Sequence, residues 1–260
     1  MNGHACWSYD DLAGDFLDAA VAFLNEGTAL GQALMFVGGP DAEEVVRSEE
    51  PLSSMVADGT LSIVPFEAVY PGGERMPEAE QWAAYAGAAE QALQGGFTGL
   101  RVLAEVTSLA SPDGAWPGQA RWESYADRLM ADSTLAALCC FERKRVPSEG
   151  LAAIASAHPV VDSRLEQLVP FRLYGRSDAL ALTGEVDAFS SNTLRQLLRA
   201  SNGSPVDRVL DLDGLTFIEH TGLYALHEYA EAMRARGLEV TIRGGPPSLH
   251  RLADLLGVTL

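Results

Sequence analysis

Positive charge is scarce in this chain. It has 18 lysines and arginines against 36 aspartates and glutamates, a formal net charge of −18 over 260 residues. Phosphate backbones are held by lysine and arginine, so this deficit argues against a nucleic-acid partner. The one basic cluster, Arg143-Lys144-Arg145, is too short to reverse it. Cysteine is scarce too. Three cysteines, two of them adjacent at Cys139 and Cys140, do not make a disulfide framework, and we expect a reduced, cytoplasmic protein. No apolar run approaches the roughly 20 residues that cross a bilayer, so no membrane role is expected. The start, Met1-Asn2-Gly3-His4, lacks the basic residues and apolar core of a secretory signal. Gly38-Gly39-Pro40 stands where a phosphate cradle could, but no Gly-Lys-Ser/Thr follows. Asp41, Glu43 and Glu44 would repel a triphosphate, so the segment reads as a plain turn. No Ser-His-Asp or Cys-His-Asp set can be assembled. No catalytic residue is assigned, and the chain is not read as an enzyme.

What is present is an ordinary globular balance, with 47% apolar residues. Apolar spacing predicts helices over 10–25, 78–93, 120–131 and 148–157, with a short one starting at 42–47. Continuous apolar runs predict strands over 33–37, 61–64, 99–106 and 134–141, with Pro112, Gly114, Pro117 and Gly118 in a loop. Alternation of this kind argues for a parallel sheet covered by helices. A seam lies at 158–170, bracketed by Pro159 and Pro170, and most of the excess acidity precedes it. We therefore expect two domains, 1–163 and 168–260. The second reads as strands over 171–174, 179–183, 208–212 and 239–243, and helices over 190–200, 222–236 and 248–256. Gly237 is placed as a helix C-cap. The most informative stretch is 208–223. An apolar strand runs into Glu219-His220-Thr221-Gly222, and a helix follows with Leu223, Leu226, Tyr229 and Met233 on one face. Unpaired N–H groups and the positive end of the dipole make such a junction suited to reading or carrying negative charge.

Four features of the second part resemble the STAS domain of bacterial anti-sigma-factor antagonists. They are Leu182-Thr-Gly-Glu-Val-Asp187, the strand and approach from Val209 to Phe217, Glu219-His220-Thr221-Gly222-Leu223, and the closing segment from Gly245-Pro246-Pro247 to Gly257. The resemblance implies a small α/β domain that docks an anti-sigma factor or a related serine kinase. In that family the hydroxyl residue after an Asp carries the regulatory phosphate. Here Glu219 replaces the Asp and His220 replaces the serine, so the usual phosphoserine switch is not expected. Thr221 is the remaining phosphoacceptor candidate. The expected partner surface comprises Glu185, Asp187, Glu219, His220, Thr221 and Gly222.

The first part resembles the MEDS domain, a sensory module named from methanogen, methylotroph and dichloromethane-responsive regulators. The likeness rests on His4-Ala-Cys6 with Tyr9, Gly96-Phe-Thr-Gly-Leu-Arg-Val102, Leu138-Cys139-Cys140-Phe141-Glu142 and His158-Pro159. The chain departs from the family at Tyr125-Ala126, where the family has Tyr-Glu. The resemblance implies a RecA-like, three-layer parallel-sheet domain that senses a small organic ligand. The sensor-ligand candidates are His4, Cys6, Tyr9, Arg101, Glu105, Cys139, Cys140 and His158. Imidazole and thiolate would suit zinc, but no spacing forms a C-x-x-C pair and cysteines in apolar strands commonly serve packing. No metal and no cofactor are assigned. Arg101 and Glu105 share one face of a strand, either as an ion pair or lining a pocket. Together these features predict a cytoplasmic signal-transduction and transcription-regulating protein. A sensed small molecule would control STAS-mediated binding of an anti-sigma factor or related kinase. A non-enzymatic scaffold that assembles with its own kind is the alternative, which makes a second copy of the chain a further candidate partner.

Overall fold

The computed structural model describes residues 3–111, 115–176, 178–200 and 208–259. Pro112 and Gly114 of the expected loop lie outside these residues. The first elements in chain order are β1 (His4–Tyr9), α1 (Leu17–Ala29), β2 (Ala33–Gly38), α2 (Pro40–Ser48), α3 (Leu52–Ala57), β3 (Leu61–Pro65), α4 (Phe66–Val69) and α5 (Glu78–Gln94). Next come β4 (Leu100–Glu105), α6 (Trp116–Met130), β5 (Leu135–Glu142), α7 (Ser148–Ala155), β6 (Val160–Val161) and α8 (Ser163–Glu166). The last are β7 (Phe171–Gly175), β8 (Leu180–Val186), α9 (Ser191–Arg199), β9 (Val209–Asp211), β10 (Leu215–Ile218), α10 (His220–Ala235), β11 (Thr241–Arg243) and α11 (Pro247–Leu256).

The chain divides into two compact units. One comprises Met1–Trp116, Ser133–Leu151 and Val160–Leu165, and the other Pro117–Asp132, Ala152–Pro159 and Glu166–Leu260. The last exchange between them, at Leu165 and Glu166, falls inside the seam read at 158–170. The two shorter segments of the second unit were not legible from composition.

The first unit is built on a six-stranded sheet, order β3-β2-β4-β5-β1-β6, with every pair parallel. β4 is buried along its whole length, and β2 and β5 along nearly all of theirs. Burial on both faces explains why these strands read as unbroken apolar runs rather than alternating ones. β1 was not anticipated, because His-Ala-Cys-Trp-Ser-Tyr contains no apolar run. Its aromatic and small residues nonetheless suit a buried parallel strand. A five-residue π-helical turn, Leu12–Phe16, leads from β1 into α1. On one face of the sheet Phe16, Phe23 and Leu24 pack with Phe36, Leu103, Leu138 and Cys140. Full burial of such side chains is worth about 1.5–3 kcal/mol each. The connection from β2 runs outward to β3, whereas that from β4 runs the other way to β5. The carboxyl ends of β2 and β4 therefore border a topological switch point, the place where open α/β sheets receive ligands. Gly38 and Glu105 are register partners at that end.

The second unit carries a separate mixed sheet of five strands. β8 is its hub. It runs antiparallel to β7 over Leu180 to Gly184 and parallel to β10 from Gly184 to Val186, and it also pairs parallel with β9. β9 in turn pairs parallel with β11. α9 buries Leu194, Leu197 and Leu198, and it packs against α10, which buries Leu223, Leu226, Tyr229 and Met233. The segments 117–132 and 152–159 join this unit through backbone partners. Arg128 Nη2 donates to Leu197 O at 2.9 Å, Leu173 N donates to Ser156 O at 2.7 Å, and Gly175 N donates to the Asp127 carboxylate. Gly237, at φ +76°, takes the left-handed position after α10 that its sequence position predicts.

Candidate functional sites

The carboxyl end of the first unit's sheet gathers Tyr9, Glu105, Thr107 and Cys140. Glu105 ends β4 and is 6% exposed. Its Oε1 accepts from Tyr9 Oη at 2.9 Å, from Thr107 N at 3.2 Å and from the Thr107 hydroxyl. The Thr107 hydroxyl also accepts from Glu142 N at 2.8 Å, which ties the end of β5 into the network. Burial, and then the Glu105 carboxylate, push the Tyr9 phenol well above its ordinary range. Burial and the carboxylates of Glu105 and Asp162 do the same to the Cys140 thiol. Both groups therefore stay neutral near pH 7, and the Tyr9 phenol remains a donor. The Gly38-Gly39 turn closes against this cluster. A methyl on Gly39 would lie 3.6 Å from Glu105 Oε2, and one on Gly38 would meet the Phe36 ring at 2.4 Å. Beside it, an open groove of about 560 Å³ is lined by Gly38, Pro40, Glu43, Arg47, Pro65 and Phe66. Thr107 was not singled out by sequence. Its only signal was a hydroxyl two residues beyond a strand carboxylate.

The pleat of the sheet separates the sensor candidates that sequence reading grouped together. Tyr9, Glu105 and Cys140 lie on the face packed by α1, and His4, Cys6 and Cys139 lie on the other. Arg101 shares the face of Glu105 but does not pair with it. Its guanidinium is fully buried and donates to Phe23 O and Glu26 Oε2, each at 3.0 Å, and to Gln32 Oε1 at 2.7 Å. It also stacks 4.4 Å from the centre of the Phe23 ring. Burial lowers its pKa, and these partners offset the cost of enclosing the charge. On the opposite face His4 Nε2 lies 3.4 Å from Cys139 Sγ. In the second unit His158 is fully buried, with Nδ1 2.9 Å from Ile154 O and Nε2 3.7 Å from Glu123 Oε2.

The partner-surface candidates all lie in the second unit. Glu219 is the N-cap of α10, and His220 and Thr221 are its first two residues rather than a loop before it. Glu219 N donates to Val186 O at 2.8 Å, which fixes the helix start on β8. The His220 imidazole is 53% exposed and lies 3.3 Å from Glu219 Oε1. The Thr221 hydroxyl is buried and has no hydrogen-bond partner among the described residues. Gly222 lets the helix sit close, because a methyl there would meet Val186 Cγ1 at 2.6 Å. Asp187 organises the next turn. Its Oδ1 accepts from Ser190 N and Ser190 Oγ, each at 2.8 Å, and its own N donates to Ser190 Oγ at 3.0 Å. These bonds, the one from Ser190 N foremost, hold its carboxyl below the usual range. Glu185 is exposed and in register with Phe217. Three aromatic side chains flank this end of the sheet in the open: Phe189 (94% exposed), Phe217 (46%) and Tyr224 (39%). Phe217, read from sequence as the end of the strand and approach that begin at Val209, faces outward from an edge strand.

The chain's likeness to known families divides within the 158–170 seam, although segments 117–132 and 152–159, which belong to the second compact unit, fall on the first family's side of it. A family model described as MEthanogen/methylotroph, DcmR Sensory domain (MEDS) matches residues 3–159. One described as Mlab, STAS domain matches residues 170–259. No curated protein matches the chain.

Proposed function

Because the chain belongs to the MEthanogen/methylotroph, DcmR Sensory domain family, we propose that it is a cytoplasmic signalling protein in which a sensory domain, 1–163, governs protein docking by a STAS domain, 168–260. The sensed molecule is a small organic compound received at the carboxyl end of the parallel sheet, where Tyr9, Glu105 and Thr107 border the switch point. Its binding shifts the population of the docking-competent form, by as much as its affinity differs between the two forms. The docked partner is an anti-sigma factor or a related kinase. The reading assigns binding and not catalysis to both domains.

One observation carries the docking assignment: Phe189, Phe217 and Tyr224 stand exposed around the start of α10, beside Glu219 and His220. Exposed aromatics next to a few polar groups are the composition of a protein interface core. The contact is independent of phosphate. His220 offers no hydroxyl where the STAS family places its phosphoserine, and the Thr221 hydroxyl is buried. The test is capture of partners by the full chain, compared with Phe217→Ser and with a Glu219→Ala/His220→Ala double variant. Recovery of an anti-sigma factor or kinase by the parent chain, weakened at least tenfold in both variants, supports the reading. Equal capture by all three removes the docking surface, and recovery of only the chain itself favours the scaffold alternative. Incubation with a captured kinase leaves the mass of the chain unchanged, whereas stoichiometric phosphothreonine at Thr221 overturns the phosphate-independent contact.

A further inference from the structure

β1 and β5 bring soft metal-binding donors together on one face of the first unit's sheet. Cys6 and Cys139 are register partners in adjacent parallel strands, and His4 is two residues before Cys6. The pleat therefore directs all three side chains to the same side. His4 is 3% exposed, Cys6 0% and Cys139 6%. His4 Nε2 and Cys139 Sγ are 3.4 Å apart. A tetrahedral zinc ion bound by imidazole at about 2.0–2.1 Å and by thiolate at about 2.3 Å holds those two ligand atoms about 3.5 Å apart. The pair, now in hydrogen-bond contact, thus stands at a spacing that also fits a shared ion.

We propose that His4 and Cys139 are two donors, one imidazole and one thiolate, of a binding site for a thiophilic divalent cation of which zinc is the prototype. Binding releases the Cys139 proton to solvent, and the thiolate and the neutral imidazole donate electron pairs to the ion with no change of oxidation state. The site lies on the face of the sheet opposite Tyr9, Glu105 and Cys140, so it does not rest on the sensory reading given to that cluster.

The test uses the full chain, reduced and stripped of metal, titrated with cobalt(II) and then with zinc(II). A thiolate-to-cobalt charge-transfer band that saturates at one equivalent and is bleached by zinc supports the site. The band is lost in Cys139→Ser, weakens at least tenfold in apparent affinity in His4→Ala, and survives in Cys140→Ser, whose sulfur faces the other way. Absence of the band in the parent chain overturns the proposal without any variant having to fold. A band that survives Cys139→Ser and disappears in Cys140→Ser also overturns it, by moving the metal to the other face.

Discussion

Replacing Gly222 by alanine sets two effects of opposite sign against each other. Gly222 is the third residue of α10, and a methyl group there would lie 2.6 Å from Val186 Cγ1 and 2.8 Å from Ile218 Cγ1. Ordinary carbon contacts are about 3.5–4.0 Å, so something must move by roughly 1 Å. Both neighbours are buried side chains, 0% and 4% exposed, with little room to retreat. Overpacking of this kind costs about 1–3 kcal/mol. Alanine is favoured over glycine by about 1 kcal/mol in a helix interior, and the first turn returns less than that. The clash should win by about 1–2 kcal/mol, which in a chain of this size lowers Tm by about 2–8 °C. Scanning calorimetry of the full chain measures it. The strain is relieved by lifting the start of α10 from β8, which displaces His220, so partner capture should weaken along with Tm. An unchanged or raised Tm would refute the argument that close approach, and not backbone freedom, requires glycine here.

Three further outcomes follow from the same geometry. Gly184→Ala combines a φ of +90° with a methyl 2.4 Å from the backbone oxygen of Pro170, and should destabilise by at least about 2 kcal/mol in urea titration. Tyr9→Phe removes one of the donors to Glu105 Oε1 and should cost about 1.5–3 kcal/mol; a loss below 0.5 kcal/mol, the range of about ±0.5 kcal/mol typical of surface changes, would show the network is slack. Asp15 accepts two hydrogen bonds from Arg164, at 2.8 and 3.0 Å, and its carboxyl is held down to about 2 from an ordinary 3.8. Because the folded value is the lower one, its stabilising contribution is present above pH 3.8 and disappears as pH falls through about 2. Carboxylate chemical-shift titration should place its midpoint near the lower value, and Arg164→Gln should raise it toward the ordinary one, short of full return because the bond from Asp10 N remains.

The fold was legible wherever burial was two-sided. β2, β4 and β5 announce themselves as apolar runs because helices cover both faces of a parallel sheet. β1 did not, since its polar members His4 and Ser8 find buried partners that only the folded chain supplies. Alternation placed Arg101 and Glu105 correctly on one face. It could not choose their partners, which come from α1 and the turn before β2 for the one and from β1 and Thr107 for the other. At the start of α10 the polar run Glu219-His220-Thr221-Gly222 read as a loop, because capping residues look like loop residues until the helix they begin is seen. The exposure of Phe217 was equally hidden. An aromatic in a strand carries no mark of whether that strand lies at an edge.

Cys139 and Cys140 are joined by one peptide bond yet face opposite sides of the same sheet. The second is the register partner of Glu105, and the first of Cys6. β5 is thus a party wall, and a single strand's thickness is all that separates what lies on its two sides.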